Sequence, residues 1–470
     1  MTPLIWAAIN GHEEVVTLLL RESHIEPDGQ DRRYGRTALS WAAGNGHEEV
    51  VRLFLGPRFI DPGSTGRRWG NVRRVVGQLF GWRYVNPNSS SEYGQTPLSW
   101  AAENGHWGIV KLLLGREDVN PNTLDIRYGR TPLSWAAEKG YEGIVRLLLG
   151  RIDVNPDTRG TPSDQTPLSW AAQNGHDGIV KLLLALADVN PDTQETEYGQ
   201  TPLSLAVENG REGVVMLLLE RKDINPNSSS KSGRTPLAWA TDGGHERIVK
   251  LLLAREDVNP DTPDTEYGPT PLSQAAKKGD EAIVKLLLAR IDVNPNAPDT
   301  EYGRTPLLWA ARNGHAGVVK LFLGREDVNP DTPDARPVRT PLSWAAANGH
   351  EGIVRLLLER KDVNPDTPDI GYGRTPLSLA AGNGHEGIVK LLLGRKNVNP
   401  DTPDMMFGRT PLSWAARTGH EGIVELLLER KDVNPNTSSK SGQTPLMLAT
   451  KNGHDRVVEL LQARHSQSIL

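Results

Sequence analysis

The chain of 470 residues has no cysteine. A disulfide framework and a thiolate zinc site are therefore excluded. It has no Gly-Lys dipeptide. That removes the phosphate-binding P-loop, whose lysine must reach the β- and γ-phosphates. Long apolar runs are missing too: every run stops far short of the roughly 20 residues that span a bilayer. Neither charge sign dominates, with 53 Lys and Arg against 58 Asp and Glu and a net charge of −5. Such a balance exerts no general pull on nucleic acid or membranes, so neither is expected as a partner. The opening residues MTPLIWAAINGHEEVV carry no charged-then-apolar leader. The expected compartment is the cytosol, or the nucleus.

Catalytic constellations are also lacking. His350-Glu351 starts like a zinc-protease helix, but the second histidine of that motif never follows. His106, His176, His245, His315, His350, His385 and His420 recur about a repeat apart, so they cannot converge on one metal. Tyr141, Arg211 and Asp280 replace the histidine elsewhere, which fits a tolerant role in a turn. Nothing gathers a nucleophile, a base and an orienting group. No enzyme activity, cofactor or metal is expected.

What is present is one phrase written many times. A Thr-Pro-Leu or Thr-Ala-Leu opening begins at Thr2, Thr37, Thr96, Thr131, Thr166, Thr201, Thr235, Thr270, Thr305, Thr340, Thr375, Thr410 and Thr444. The step is 35 residues, or 34 twice, except for 59 between Thr37 and Thr96. A fixed period of this size predicts a solenoid. Thr340 suits a helix N-cap and Pro341 the first helical position. Leu342, Ala345 and Ala346 share one helix side, kept thin by the alanines. Gly349 is placed to end this helix in a left-handed conformation. Ile353, Val354, Leu356, Leu357 and Leu358 then form the apolar stripe of a second helix. Asp362-Val363-Asn364-Pro365 reads as extended, and Asp366 to Gly373 as turns. Two short helices cannot bury their faces alone; stacked neighbours can.

Thr340-Pro341-Leu342, Ala345-Ala346, Gly349-His350, Val354, Leu356-Leu357-Leu358 and Val363-Asn364 resemble the ankyrin repeat, over nearly the whole chain. The resemblance implies an all-α ankyrin-repeat solenoid of helix-turn-helix plus a β-hairpin-like finger, with a concave inner-helix surface that binds another protein. The wording is also similar to long fungal ankyrin arrays attached to NACHT-type signalling NTPases. A sensor arm of such a protein, or a mechanical spacer, is the alternative to a monomeric interaction scaffold. Several positions depart from the family's usual repeat of about 33 residues. The finger is longer, the exit from the second helix is tighter, Arg360-Lys361 stands for Gly-Ala, and Ser343 for a common histidine.

The organisation expected is two repeats over 1–55, a truncated or degenerate repeat over 56–95, and repeats with a C-terminal cap over 96–470. Residues 56–95 lack the T-P-L-S-W-A-A segment and contain Arg67, Arg68, Arg73 and Arg74. The segment reads as a decayed repeat or a mispredicted splice junction, and alternatively its arginine cluster as a basic patch or nuclear signal. The break is expected to be the weakest joint, because its neighbours lose an interface.

Tryptophan is concentrated in one slot, opposite Leu342 on the helical wheel: Trp6, Trp41, Trp100, Trp135, Trp170, Trp239, Trp309, Trp344 and Trp414. Either each ring packs against the next inner helix, or the rings form a ladder open to a partner. The residue after Ala-Ala varies most: Glu103, Glu138, Gln173, Asp242, Arg312, Ala347, Arg417. The residue before Thr is mostly Arg, as at Arg130, Arg304 and Arg339, and marks the finger-side edge of the expected partner face.

Overall fold

A computed structural model describes the chain except residues 23, 57–84, 161–163, 266–267, 337 and 468–470. It divides into two units, Met1–Lys231 and Ser232–Leu470. In the first, inner helices Pro3–Ile9, Ala38–Asn45, Pro97–Glu103, Pro132–Lys139, Pro167–Asn174 and Pro202–Glu208 alternate with outer helices Glu13–Arg21, Glu48–Leu55, Trp107–Leu114, Glu142–Leu149, Asp177–Leu184 and Glu212–Leu219. The second alternates Pro236–Gly243, Pro271–Lys278, Pro306–Asn313, Pro341–Asn348, Pro376–Asn383, Pro411–Thr418 and Pro445–Lys451 with Glu246–Leu253, Glu281–Leu288, Ala316–Leu323, Glu351–Glu359, Glu386–Leu393, Glu421–Glu429 and Asp455–Gln467. Within each unit, inner helices stack on inner helices and outer on outer. The fold is an all-α repeat solenoid.

Local chemistry sets these boundaries. Thr340 is extended, and its Oγ1 accepts the Ser343 amide at 3.2 Å, so the N-cap satisfies an orphan donor. Ser343, where a histidine is common in this kind of repeat, is fully buried and pairs its hydroxyl with Thr340 Oγ1 at 3.1 Å. Gly349 closes the helix at φ 81°, and a β-carbon there would meet the His385 ring of the next repeat. His350 Nε2 donates to the Arg312 carbonyl of the preceding inner helix at 3.1 Å. His106, His176 and His385 do the same one repeat back, and Arg211 keeps the bond through Nε at 3.1 Å to Gln173. Where Asp280 replaces the histidine, Lys278 supplies the donor to the Asp242 carbonyl. These histidines are joints between repeats.

Leu342, Ala345, Ala346, Ile353, Val354 and Leu357 are buried, as their helical spacing predicts. The outer helices are joined by arginine at their exits. The Arg360 guanidinium donates from Nη1 to the carbonyls of Leu323 and Arg325 in the preceding repeat, at 3.0 and 3.1 Å, and forks onto Asp362. Arg151, Arg290 and Arg430 repeat this arrangement. The tight exit is thus explained: Arg in place of Gly caps the neighbouring helix.

The joint across the 59-residue step differs from expectation. Helices Ala38–Asn45 and Pro97–Glu103 pack directly on each other. His106 Nε2 reaches the Gly44 carbonyl at 3.0 Å, and Arg116 Nη1 reaches Leu55 at 3.1 Å. The Glu92 amide donates to the Tyr34 carbonyl at 3.0 Å. The flanking repeats have therefore not lost a neighbour interface, because the finger from residue 85 onward joins the finger of the Thr37 repeat. Arg67, Arg68, Arg73 and Arg74 lie outside the described residues.

Candidate interaction face

The inner helices and fingers build one face per unit, and a buried aspartate organises several of the fingers. Asp404 is 2 % exposed. Its Oδ1 accepts the Phe407 amide at 2.5 Å and its Oδ2 the Trp414 Nε1 at 2.9 Å. Asp31 with Trp41, Asp125 with Trp135, Asp299 with Trp309 and Asp334 with Trp344 are the same pair, ten residues apart. The tryptophan's polar edge is thus taken by its own finger.

The ring faces are covered as well. The Arg36 guanidinium lies 3.8 Å from the Trp41 ring and 3.7 Å from that of Trp100 in the next repeat. Burial pushes Arg36 down to about 10, opposed by Asp31 and Glu103. Arg130 sits between Trp135 and Trp170 at 4.4 and 3.9 Å, and Arg374 lies 4.4 Å from Trp414. Such contacts contribute about 0.5–2 kcal/mol each when partly desolvated. Trp135, Trp309 and Trp414 are only 3 %, 6 % and 6 % exposed. Trp100, Trp170, Trp239 and Trp344 are half-buried. Packing accounts for these rings, and what remains at the surface is mostly charge.

That charge follows a rule of eight. Gln95 Nε2 donates to Glu103 at 2.8 Å, Arg130 Nη1 to Glu138 at 2.6 Å, and Gln200 Nε2 to Glu208 at 2.6 Å. Gln165 bonds Gln173 more loosely at 3.4 Å. In the second unit, Arg234 bonds Asp242 at 2.8 Å and lies 3.2 Å from Asp264. Burial pushes the Glu103 carboxyl up, with Gln95 opposing. Burial would also raise Asp242, but Arg234, Lys278 and Gln274 together hold it well below the usual carboxylate range. After Asp242 the rule stops. Arg304 turns to the next finger's Asp334 at 3.4 Å, and Arg339 to Asp369 at 3.2 Å.

A family model described as ankyrin repeats matches residues 1–65, 68–159, 152–230, 168–264, 225–299, 256–334, 327–404 and 396–469. The chain belongs to the ankyrin-repeat family. No curated protein matches it. Ankyrin repeats generally mediate protein–protein interaction and are generally non-catalytic scaffolds. Among the described residues, no helix is long and apolar enough to cross a membrane, and no three His, Asp or Glu residues are placed to hold a metal ion.

The ankyrin geometry gathers the expected face residues in two sets. Trp100, Glu103, Arg130, Trp135, Glu138, Trp170 and Gln173 share the face of the first unit. Trp239, Asp242, Arg304, Trp309, Arg312, Arg339, Trp344, Ala347, Trp414 and Arg417 belong to the second. Ala347 is nearly covered at 9 % exposure, while Arg417 is exposed. A cavity of about 630 Å³ is lined by Lys277, Tyr302, Arg304, Trp309 and Arg312. Another of about 530 Å³ lies among Arg374, Met406, Trp414 and Arg417. Sequence reasoning missed the finger aspartates. Their signal was present: the acid stands ten residues before the tryptophan, while Ser91 and Ser230, nine residues before Trp100 and Trp239, take its place in two fingers one residue shorter.

This pairing predicts unequal costs for one substitution. Trp414→Phe removes a donor from a buried carboxylate, whereas Trp100 Nε1 has no hydrogen-bond partner among the described residues. Trp414→Phe should cost about 1–2 kcal/mol more than Trp100→Phe in denaturant unfolding. Equal costs would show that the Asp404 bond contributes nothing net.

Proposed function

We propose that this ankyrin array is a non-catalytic scaffold of the cytosol or nucleus whose protein partner lies along the inner-helix and finger face. The observation that carries this reading is where the repeats differ. Their buried skeleton is nearly invariant, while the position after Ala-Ala changes from Glu103 and Glu138 to Arg312 and Arg417. A stack held rigid by histidine, arginine and tryptophan joints limits the ordering entropy lost on binding.

The test is charge reversal on that face. Partners captured by proximity labelling of the intact protein are titrated against Glu138→Lys, Arg312→Glu and the outer-helix control Arg355→Glu. Arg355 is exposed and, among the described residues, paired with Glu351 at 3.1 Å. At least one face variant should weaken binding by about 1–2 kcal/mol with unchanged circular dichroism, and the control should not. Loss of binding in Arg355→Glu alone would move the partner to the outer face.

A further inference from the structure

From Arg304 onward the second unit carries cations on its inner face without the inner-helix acids that balance them in the first. Eight residues after Arg304, Arg339, Arg374 and Arg409 stand Arg312, Ala347, Gly382 and Arg417. Arg304 and Arg339 reach the next fingers' Asp334 and Asp369 at 3.4 and 3.2 Å, but Arg312, Arg374 and Arg417 form no ion pair among the described residues. Asp299 already accepts from the Tyr302 amide at 2.6 Å and from Trp309 Nε1 at 2.7 Å, and Asp404 is occupied in the same way. The Nε atoms of Arg374 and Arg409 are buried and donate to no group among the described residues. Burial lowers Arg409, and its neighbours Arg417 and Arg374 lower it further against Asp404. Arg312 is likewise lowered by burial and then by Arg304. Crowded like charges of this kind are relieved by an anionic ligand.

We infer that the inner face of the second unit, from Arg304 to Arg417, binds an acidic, extended segment of a partner protein, its Asp or Glu carboxylates meeting Arg312, Arg374 and Arg417. This rests on the interaction-face reading above. A nucleic acid strand fits poorly, since Trp309 and Trp414 are buried under arginines and offer no open ring for base stacking. A single small anion does not account for cations spread over several repeats. Packed helices lie about 9–10 Å apart and an extended chain rises about 3.3 Å per residue. The segment therefore advances about three residues per repeat, and acids about every third position meet successive arginines. Exposed Met406 beside Arg374 and Arg417 gives the residues between them an apolar wall.

The experiment uses the full chain and a fluorescent synthetic peptide of repeated Asp-Gly-Ser, read by polarisation at low and raised salt. The peptide should bind, more weakly at raised salt. The Arg312→Glu plus Arg417→Glu variant should bind about tenfold or more weakly. Arg355→Glu should bind as the parent does, and a Lys-Gly-Ser peptide should not bind. Undiminished affinity in the double variant overturns the inference. So does a single-stranded oligothymidine that binds as tightly and loses as much. If the acidic peptide fails while a captured native partner is still released by Arg312→Glu, the acidic-segment inference falls and the interaction face stands. If neither responds, both fall.

Discussion

Replacing Arg360 with alanine should destabilise the second unit by about 2 kcal/mol. One guanidinium there serves two repeats. It donates to the Leu323 and Arg325 carbonyls at 3.0 and 3.1 Å, at the end of the outer helix Ala316–Leu323, and it holds Asp362 through both oxygens. Charge-assisted bonds to helix-terminal carbonyls contribute about 1.5–3 kcal/mol, and the 24 % exposure of this side chain lets water replace part of that. Amide exchange should speed up in the last turn of Ala316–Leu323 and not in the inner helix Pro306–Asn313. Arg360→Lys should recover only part of the loss, since an ammonium has no fork. The converse lies in the first unit, where Leu186 occupies the arginine position two residues before Asp188. At the usual offsets an arginine there faces the carbonyls of Leu149 and Arg151. Leu186→Arg should therefore raise stability by about 1 kcal/mol. If Arg360→Ala leaves unfolding and exchange unchanged, the capping role is wrong.

The triple substitution Asp331→Asn, Asp366→Asn and Asp401→Asn should stabilise the same unit by about 1.5–3 kcal/mol at neutral pH. Consecutive fingers are linked through this position. Where it is Asn, both ends of the amide bond: Asn296 Oδ1 accepts the Asn329 amide at 2.9 Å, and its Nδ2 donates to the Asp327 carbonyl at 2.6 Å. Asn88 and Asn122 do likewise. Where it is Asp, Oδ2 still accepts, at 2.7 Å from Asn364, 2.7 Å from Asn399 and 2.6 Å from Asn434. The Oδ1 atoms of Asp331, Asp366 and Asp401 are buried with no hydrogen-bond partner among the described residues. An amide supplies the missing donor at about 0.5–1 kcal/mol per site.

The pH dependence follows from the same carboxyls. Burial raises Asp331, Asp366 and Asp401 above the ordinary value, with the facing amides opposing. A folded-state pKa above the unfolded one means that the folded chain holds the proton more tightly. The parent protein therefore gains stability from these groups as pH falls from neutral through the raised values, down to the ordinary carboxylate range. The Asn variant has no such gain, so its advantage is largest near neutral pH and shrinks toward about pH 4.5. Asp327, Asp362 and Asp432 are shifted the other way by their arginines, and their loss in stronger acid is common to both proteins. A pH-independent difference in denaturation midpoint, or a destabilised variant, would reject this account.

The 35-residue period, the Thr-Pro opening and the Ala-Ala pair by themselves determined the all-α repeat fold, the caps and the buried stripe. Those features depend on neighbours within a few residues, where helical periodicity and capping chemistry are decisive. The absence of a P-loop lysine and of cysteine was equally legible. Other features depend on residues one repeat away. Trp414 faces outward on its own helix, and only stacking shows it buried between Arg374 and Arg409 with its edge on Asp404. The direct packing of Ala38–Asn45 on Pro97–Glu103 ran against a 59-residue step that reads as a broken array. Arg360 reads as an exposed charge until the carbonyls of the preceding helix are placed beside it. A side chain's worth depends on what lies across the repeat boundary, and that distance is set by packing rather than by sequence separation.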